Sequence, residues 1–308
     1  MSALHRKRAK VSDLPNNGIL VGVDGSSCAK LAVEWAAREA AGRNVPLRIV
    51  HVAYPAVGAW AGWGVSPAPL PENLVPTQED QARKVIDDAI EIVDAAIEGN
   101  DRLPVSSEIL WSSAVPTLVD LTKQAQMIVV GYHGRGALAR GLLGSVSTAL
   151  VHHAHCPVAV IHDAAQPSAP TGAPVLVGID GSPASELAIA IAFDEASWRG
   201  GDLLALHAWT DADWPDFPEV EWSATKATAE ETLAERLAGW RERYPDVTVR
   251  KVVVYGYPAR HLLEESKSAQ LVVVGSHGRG GFAGMLLGSV SSAVVHGAHV
   301  PVIVARQR

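Results

Sequence analysis

Residues 131–147 read GYHGRGALARGLLGSVS, and residues 275–291 read GSHGRGGFAGMLLGSVS. Both stretches place G-x-x-G, nine further residues and then G-S, with the second copy 144 residues after the first. Each follows a short apolar run, Met127 to Val130 or Leu271 to Val274, of the kind that forms a buried parallel strand. A helix is expected to begin near Ser145 and Ser289. A glycine-spaced loop between a strand and a helix lets backbone amides approach a ligand without a Cβ in the way. The helix N-terminus that follows favours an anion.

Working outward, each half also opens alike. Gly18 leads through Ile-Leu-Val-Gly-Val to Asp24-Gly25-Ser26, and Ala173 leads through Pro-Val-Leu-Val-Gly-Ile to Asp180-Gly181-Ser182. These openings are 156 residues apart, so the first half carries 12 more residues before its glycine loop. The surplus falls in 54–78, a segment with Trp60, Trp63 and several prolines. In each half the pattern predicts a strand, a helix (about Cys28 to Ala41 in the first), and a second strand at Leu47 to Ala53 or Leu203 to Trp209. Ser182 reads as an N-cap with Pro183 at the first helical position. A long helix follows, about Gln78 to Ile97 or Ser223 to Tyr244. The third strands are expected at Ser107 to Leu110 and Val247 to Val254, and the fifth at Pro157 to Ile161 and Pro301 to Val304. Strands alternating with helices give an α/β fold, a five-stranded parallel sheet covered on both faces in each half. The expected organisation is an N-terminal arm at 1–17, a first domain at 18–163, a small-residue linker at 164–173 and a second domain at 174–308.

Composition narrows the function. At 308 residues with 48% apolar content there is material for two cores, and a formal charge of −7 argues against a general nucleic-acid surface. Cys28 and Cys156 have no cysteine at the matching position of the other half, which fits a reduced, cytoplasmic protein. No run of 18 apolar residues is present to span a membrane, and no apolar signal-peptide core follows the basic start.

The repeated loop is not a Walker loop, because Leu143 and Leu287 stand where that motif needs a lysine. Nor is it the dinucleotide fingerprint, which follows the first strand rather than the fourth. The duplicated G-x-x-G-x9-G-S instead resembles the ATP-binding signature of the universal stress protein family, in its tandem form. The resemblance covers all but the N-terminal arm and the tryptophan-proline segment. It implies Rossmann-like domains of the adenine nucleotide alpha hydrolase-like type and a nucleotide site in each half. By that resemblance Asp24, Gly25, Asp180 and Gly181 meet the ribose or adenine end, and Gly131 and Gly275 lie near the ribose. Backbone at Val52 and Ala208 receives adenine. Phosphates fall to Gly134, Arg135, Gly144, Ser145, Val146 and Ser147, and to Gly278, Arg279, Gly288, Ser289, Val290 and Ser291. Mg²⁺ would be held mainly by the phosphates, with Asp24 or Asp180 assisting. A homodimer is expected, with the fifth strands pairing at a sheet edge between domains or between chains.

Several residues keep two readings. His133 and His277 either contact phosphate or structure the loop. Arg140, which aligns with Gly284, either adds charge to the first site or is solvated. Trp60, Trp63, Trp214 and Trp222 are adenine lids, partner contacts or ordinary packing. His152 and His155 recur as His296 and His299 and read as helix-end packing rather than metal ligands. No catalytic set accompanies the loops. The expected role is an ATP-binding stress regulator that senses occupancy; a slow ATPase or nucleotidyl-transfer enzyme, and a nucleotide-free scaffold, remain as alternatives.

Overall fold

A computed structural model describes residues 18–54, 74–97, 103–135, 143–163, 172–209, 219–278 and 286–306. The N-terminal arm, linker residues 164–171, Arg140, Arg279, Trp60, Trp63 and Trp214 lie outside the described residues, as does the side chain of Trp222. The chain divides into two compact units, 1–150 with 154–156, and 151–153 with 157–308.

In the first unit the strands are β1 (Ile19–Val23), β2 (Leu47–Ala53), β3 (Val105–Trp111) and β4 (Met127–Gly131), in the order β3-β2-β1-β4. All are parallel: β1 lies between β2 and β4, and β2 pairs with β3 from Leu47↔Val105 to Ala53↔Trp111. Ile19, Val21, Leu47, Ile49, Ile128 and Val129 are fully buried, as expected of strands covered on both faces. The helices are α1 (Ser27–Gly42), α2 (Leu74–Ala96), α3 (Ala114–Leu121) and α4 (Ser145–His153). α1 packs on β1, β4 and α2, and α3 packs on β2. An alanine stripe explains the close fit of α1: Ala29, Ala32, Ala36, Ala37 and Ala40 recur at helical spacing and are buried with Val33. Ser26 caps it, its hydroxyl accepting from the Ala29 amide at 3.2 Å.

The second unit holds β5 (Val158–Ile161), β6 (Val175–Gly178), β7 (Leu203–Trp209), β8 (Val249–Tyr255), β9 (Leu271–Gly275) and β10 (Val302–Ala305), in the order β5-β10-β9-β6-β7-β8. Its helices are α5 (Pro183–Arg199), α6 (Glu219–Arg243), α7 (Pro258–Ser266) and α8 (Ser289–Gly297). Ser182 and Pro183 start α5 as the sequence indicates, with the Ser185 amide donating to Ser182 Oγ at 3.2 Å. Phe193 is buried and stacks on Trp240 and Tyr244, with ring centroids 5.9 and 5.5 Å apart.

One pairing departs from the parallel pattern. β5, the fifth strand of the first repeat, runs antiparallel to β10, from Val302↔Val160 to Val304↔Val158. The fifth strands therefore pair inside one chain, and this edge is closed to a second copy. The duplication extends into the interior as well. Glu39 and Glu195 are fully buried, 156 residues apart, and ion-pair with Arg43 and Arg199 one helical turn later.

Candidate functional site

β1 has one neighbour reached by an adjacent crossover and another, β4, contributed from further along the chain. Strand order reverses there, and the carboxyl ends of β1 and β4 frame a crevice. A cavity of about 680 Å³ occupies it. Asp24, Val52, Gly131, Gly134, Arg135, Gly144, Ser145, Val146 and Ser147 line it, whereas Gly25 does not.

The glycines have separate tasks. A Cβ on Gly131 would stand 2.7 Å from the Cys28 carbonyl carbon and 3.0 Å from the Ala29 amide, so this glycine admits the first turn of α1. Gly275 does the same against Ala184, at 2.9 Å. A Cβ on Gly134 would collide with Asp24 Oδ2, and one on Gly278 would stand 2.5 Å from Asp180 Oδ2. Gly25 and Gly181 both sit at φ +80°, a left-handed turn that only glycine adopts freely. The loop then closes through Gly144 N–H donating to the Tyr132 carbonyl at 2.9 Å, and Gly288 N–H to the Ser276 carbonyl at 2.7 Å.

Some side chains expected to meet ligand are engaged by the protein instead. Asp24 Oδ1 accepts from the Ser26 amide and Oδ2 from the Arg135 amide, each at 2.9 Å. Asp24 thus ties the glycine loop to the end of β1. Asp180 Oδ1 accepts from the Ser182 amide at 2.9 Å in the same way. The Ser147 hydroxyl donates to the Gly131 carbonyl at 2.7 Å, and Ser291 to Gly275 at 2.5 Å. Ser147→Ala should therefore lower stability by about 1 kcal/mol, by removing a part-buried hydrogen bond to the Gly131 carbonyl. Thermal melting checks it.

What faces the cavity from α4 is backbone. Gly144 is the N-cap in extended conformation without a side-chain cap, and the first turn carries no acidic residue. The amides of Ser145, Val146 and Ser147 have no acceptor within the helix, as at any helix start. Ser145 is exposed and Ser147 buried. Gly288, Ser289, Val290 and Ser291 repeat this start at α8, also without an acid or a side-chain cap. Arg135 is exposed, with its guanidinium beside Gly25 and no carboxylate partner among the described residues. The opposite wall is apolar, formed by Val50, Val52, Ala53, Ala114 and Leu118. Burial pushes the Tyr132 phenol up from its ordinary range. His133 has its ring nitrogens 3.5 and 3.6 Å from Cys28 Sγ and stands edge-on to Tyr132, which favours the loop-structuring reading.

Two features escaped the sequence reading. Arg236 of α6 takes the place beside Gly181 that Arg135 takes beside Gly25, and it ion-pairs with Glu186 at 2.7 Å. His51 and His207 donate from Nδ1 to the carbonyls of Val23 and Ile179, each at 2.7 Å. Identical residues at the 156-residue offset were the available signal for the histidines. For Arg236 there was none, because its partner depends on how two helices pack.

The model of the universal stress protein family matches residues 16–162 and 173–306. The chain is 56% identical over 293 residues to universal stress protein Rv2005c of Mycobacterium tuberculosis (strain ATCC 25618 / H37Rv), covering 94% of this chain and 97% of the relative. Its identity to universal stress protein Rv2623 of the same strain is 53% over 292 residues, covering 94% and 96%. Its fold is similar to the crystal structure of a universal stress protein from Archaeoglobus fulgidus DSM 4304, with a TM-score of 0.67 at 20% identity over 96% of this chain and 99% of that one. The chain belongs to the universal stress protein family, with two such domains in tandem. No described helix is long and apolar enough to cross a membrane.

Proposed function

We propose that this protein binds ATP and acts as a cytoplasmic regulator in the stress response, its nucleotide occupancy setting the surface that partners meet. The observation that carries this reading is the polarity of the 680 Å³ cavity. Unpaired amides of a helix N-terminus and the Arg135 guanidinium stand at one end, suited to phosphates, and an apolar wall at the other suits a flat base. Mg²⁺ would arrive on the phosphates. The repeated loop and helix start of the second unit take a second nucleotide.

Binding without tuned turnover fits the same geometry. Both oxygens of Asp24 accept from backbone amides, so the acid nearest the loop holds structure rather than activating water. A ligand bound only by the folded state stabilises it by RT ln(1 + [L]/Kd), about 2.7 kcal/mol at a hundredfold excess over Kd. Denaturing freshly purified protein should release an adenine nucleotide identifiable by mass. Calorimetric titration of the stripped protein should show ATP binding and a rise in Tm. Protein that releases no nucleotide and takes up none at millimolar ATP refutes the proposal and favours a scaffold.

A further inference from the structure

We infer that His51 supplies the hydrogen-bond acceptor that reads an N–H or O–H donor on the nucleoside part of the ligand in the first cavity. The inference rests on the nucleotide reading above and adds to it a residue that decides which nucleosides are accepted.

The chemistry begins with the tautomer. Nδ1 of His51 lies 2.7 Å from the Val23 carbonyl, an acceptor only, so Nδ1 must carry the proton. In the neutral ring Nε2 is then a bare lone pair. His51 lines the cavity, near the carboxyl end of β2 and directly before Val52. Its Nε2 has no hydrogen-bond partner among the described residues, so it is the ring's remaining polar atom for whatever fills the space.

The second repeat gives independent support. His207 keeps the same anchor, at 2.7 Å to the Ile179 carbonyl, and is only 6% exposed. Its Nε2 is buried with no hydrogen-bond partner among the described residues. A buried acceptor left unpaired is unfavourable, and such groups are rare in folded proteins without a use. Anchoring the ring needs only Nδ1, so the packing of the protein does not account for Nε2.

The two copies differ in access. Trp209 stands edge-on to His207, with centroids 6.2 Å apart and planes at 81°. The first unit has Ala53 at the equivalent place, and Ala53 lines the cavity. Nε2 is buried in the second unit, whereas His51 lines the cavity in the first, which is why the assignment is to His51.

The donor could be a ribose hydroxyl or the exocyclic amine of adenine; both are N–H or O–H groups that a lone pair accepts from. The test uses the full chain stripped of nucleotide. His51→Asn keeps an N–H for the Val23 carbonyl and withdraws the acceptor from the Nε2 position. Affinities of wild type and variant are measured for ATP, 2′-deoxyATP, 3′-deoxyATP, purine riboside triphosphate and inorganic triphosphate. One nucleotide analogue should bind wild type about fivefold to tenfold more weakly than ATP. His51→Asn should lose that same factor on ATP and nothing further on that analogue, with triphosphate unaffected. A variant that binds ATP as wild type does, or that weakens on every ligand including triphosphate, overturns the inference while leaving ATP binding intact. Wild type that binds none of the nucleotides overturns the proposed function, and the inference with it.

Discussion

Gly131→Ala is expected to destabilise the first unit by about 3 kcal/mol or more, the upper end for an overpacked site. The added methyl would stand 2.7 Å from both the carbonyl carbon and the Cβ of Cys28, and 3.0 Å from the Ala29 amide. Two of these are backbone atoms in the first turn of α1 and the third, Cβ, is fixed by that backbone, so no side-chain rotation relieves the collision. Moving α1 outward would open its contacts at Ala32, Val33, Ala36 and Ala37, all at most 1% exposed. Moving β4 would disturb its ladder with β1. Calorimetry should show a transition lowered by roughly 10 °C, taking about 2–4 °C per kcal/mol for a unit of this size. Gly144→Ala is the control. Its backbone lies at φ −62°, which alanine adopts freely, and the nearest atom to its Cβ is His133 Cα at 3.2 Å. A loop glycine that mattered only for ligand would reverse this order, leaving Gly131→Ala as stable as wild type.

That contrast shows how far the sequence could be read. Duplication made the glycine spacing conspicuous, and spacing located the cavity, because strand order places the ends of β1 and β4 together. Ser182-Pro183 marked a helix start from local chemistry alone, and the structure places α5 there. Task assignment within the loop was not legible. Glycine in a sequence reports that a side chain is absent, not what occupies the space. At Gly131 the occupant is a helix, at Gly134 it is a carboxylate, and at Gly144 it is the loop's own backbone, His133 Cα at 3.2 Å. Ser147 was equally ambiguous, since a hydroxyl near a helix start can serve a phosphate or a neighbouring carbonyl. Distance to Gly131 O decides it, and distance is a tertiary property. The antiparallel meeting of β5 and β10 is likewise set by tertiary packing, because short apolar strands carry no mark of their direction of pairing.

Ser145→Asp separates anion binding from folding more sharply than any glycine change. Ser145 is the first residue of α4, exposed, and lines the cavity. An acid in the first turn complements the helix dipole, worth about 0.3–1 kcal/mol, so the ligand-free protein should melt at or slightly above the wild-type temperature. The same carboxylate would stand where the proposed phosphates bind. Two unit charges about 4 Å apart near a protein surface repel by roughly 4 kcal/mol at an effective dielectric constant of about 20. Solvent around an exposed side chain reduces this, and a loss of ATP affinity of at least about a hundredfold is expected, easing as salt is raised. Titrating ATP into the stripped variant at low and high ionic strength measures both effects. Ser289→Asp applies the same charge at α8, also at an exposed first residue without a neighbouring acid. If each variant removes one binding event per chain and the double variant removes all, both helix starts hold phosphate. If Ser145→Asp keeps full affinity, the N-terminus of α4 is not the anion site, and the cavity must take its ligand by Arg135 and the apolar wall.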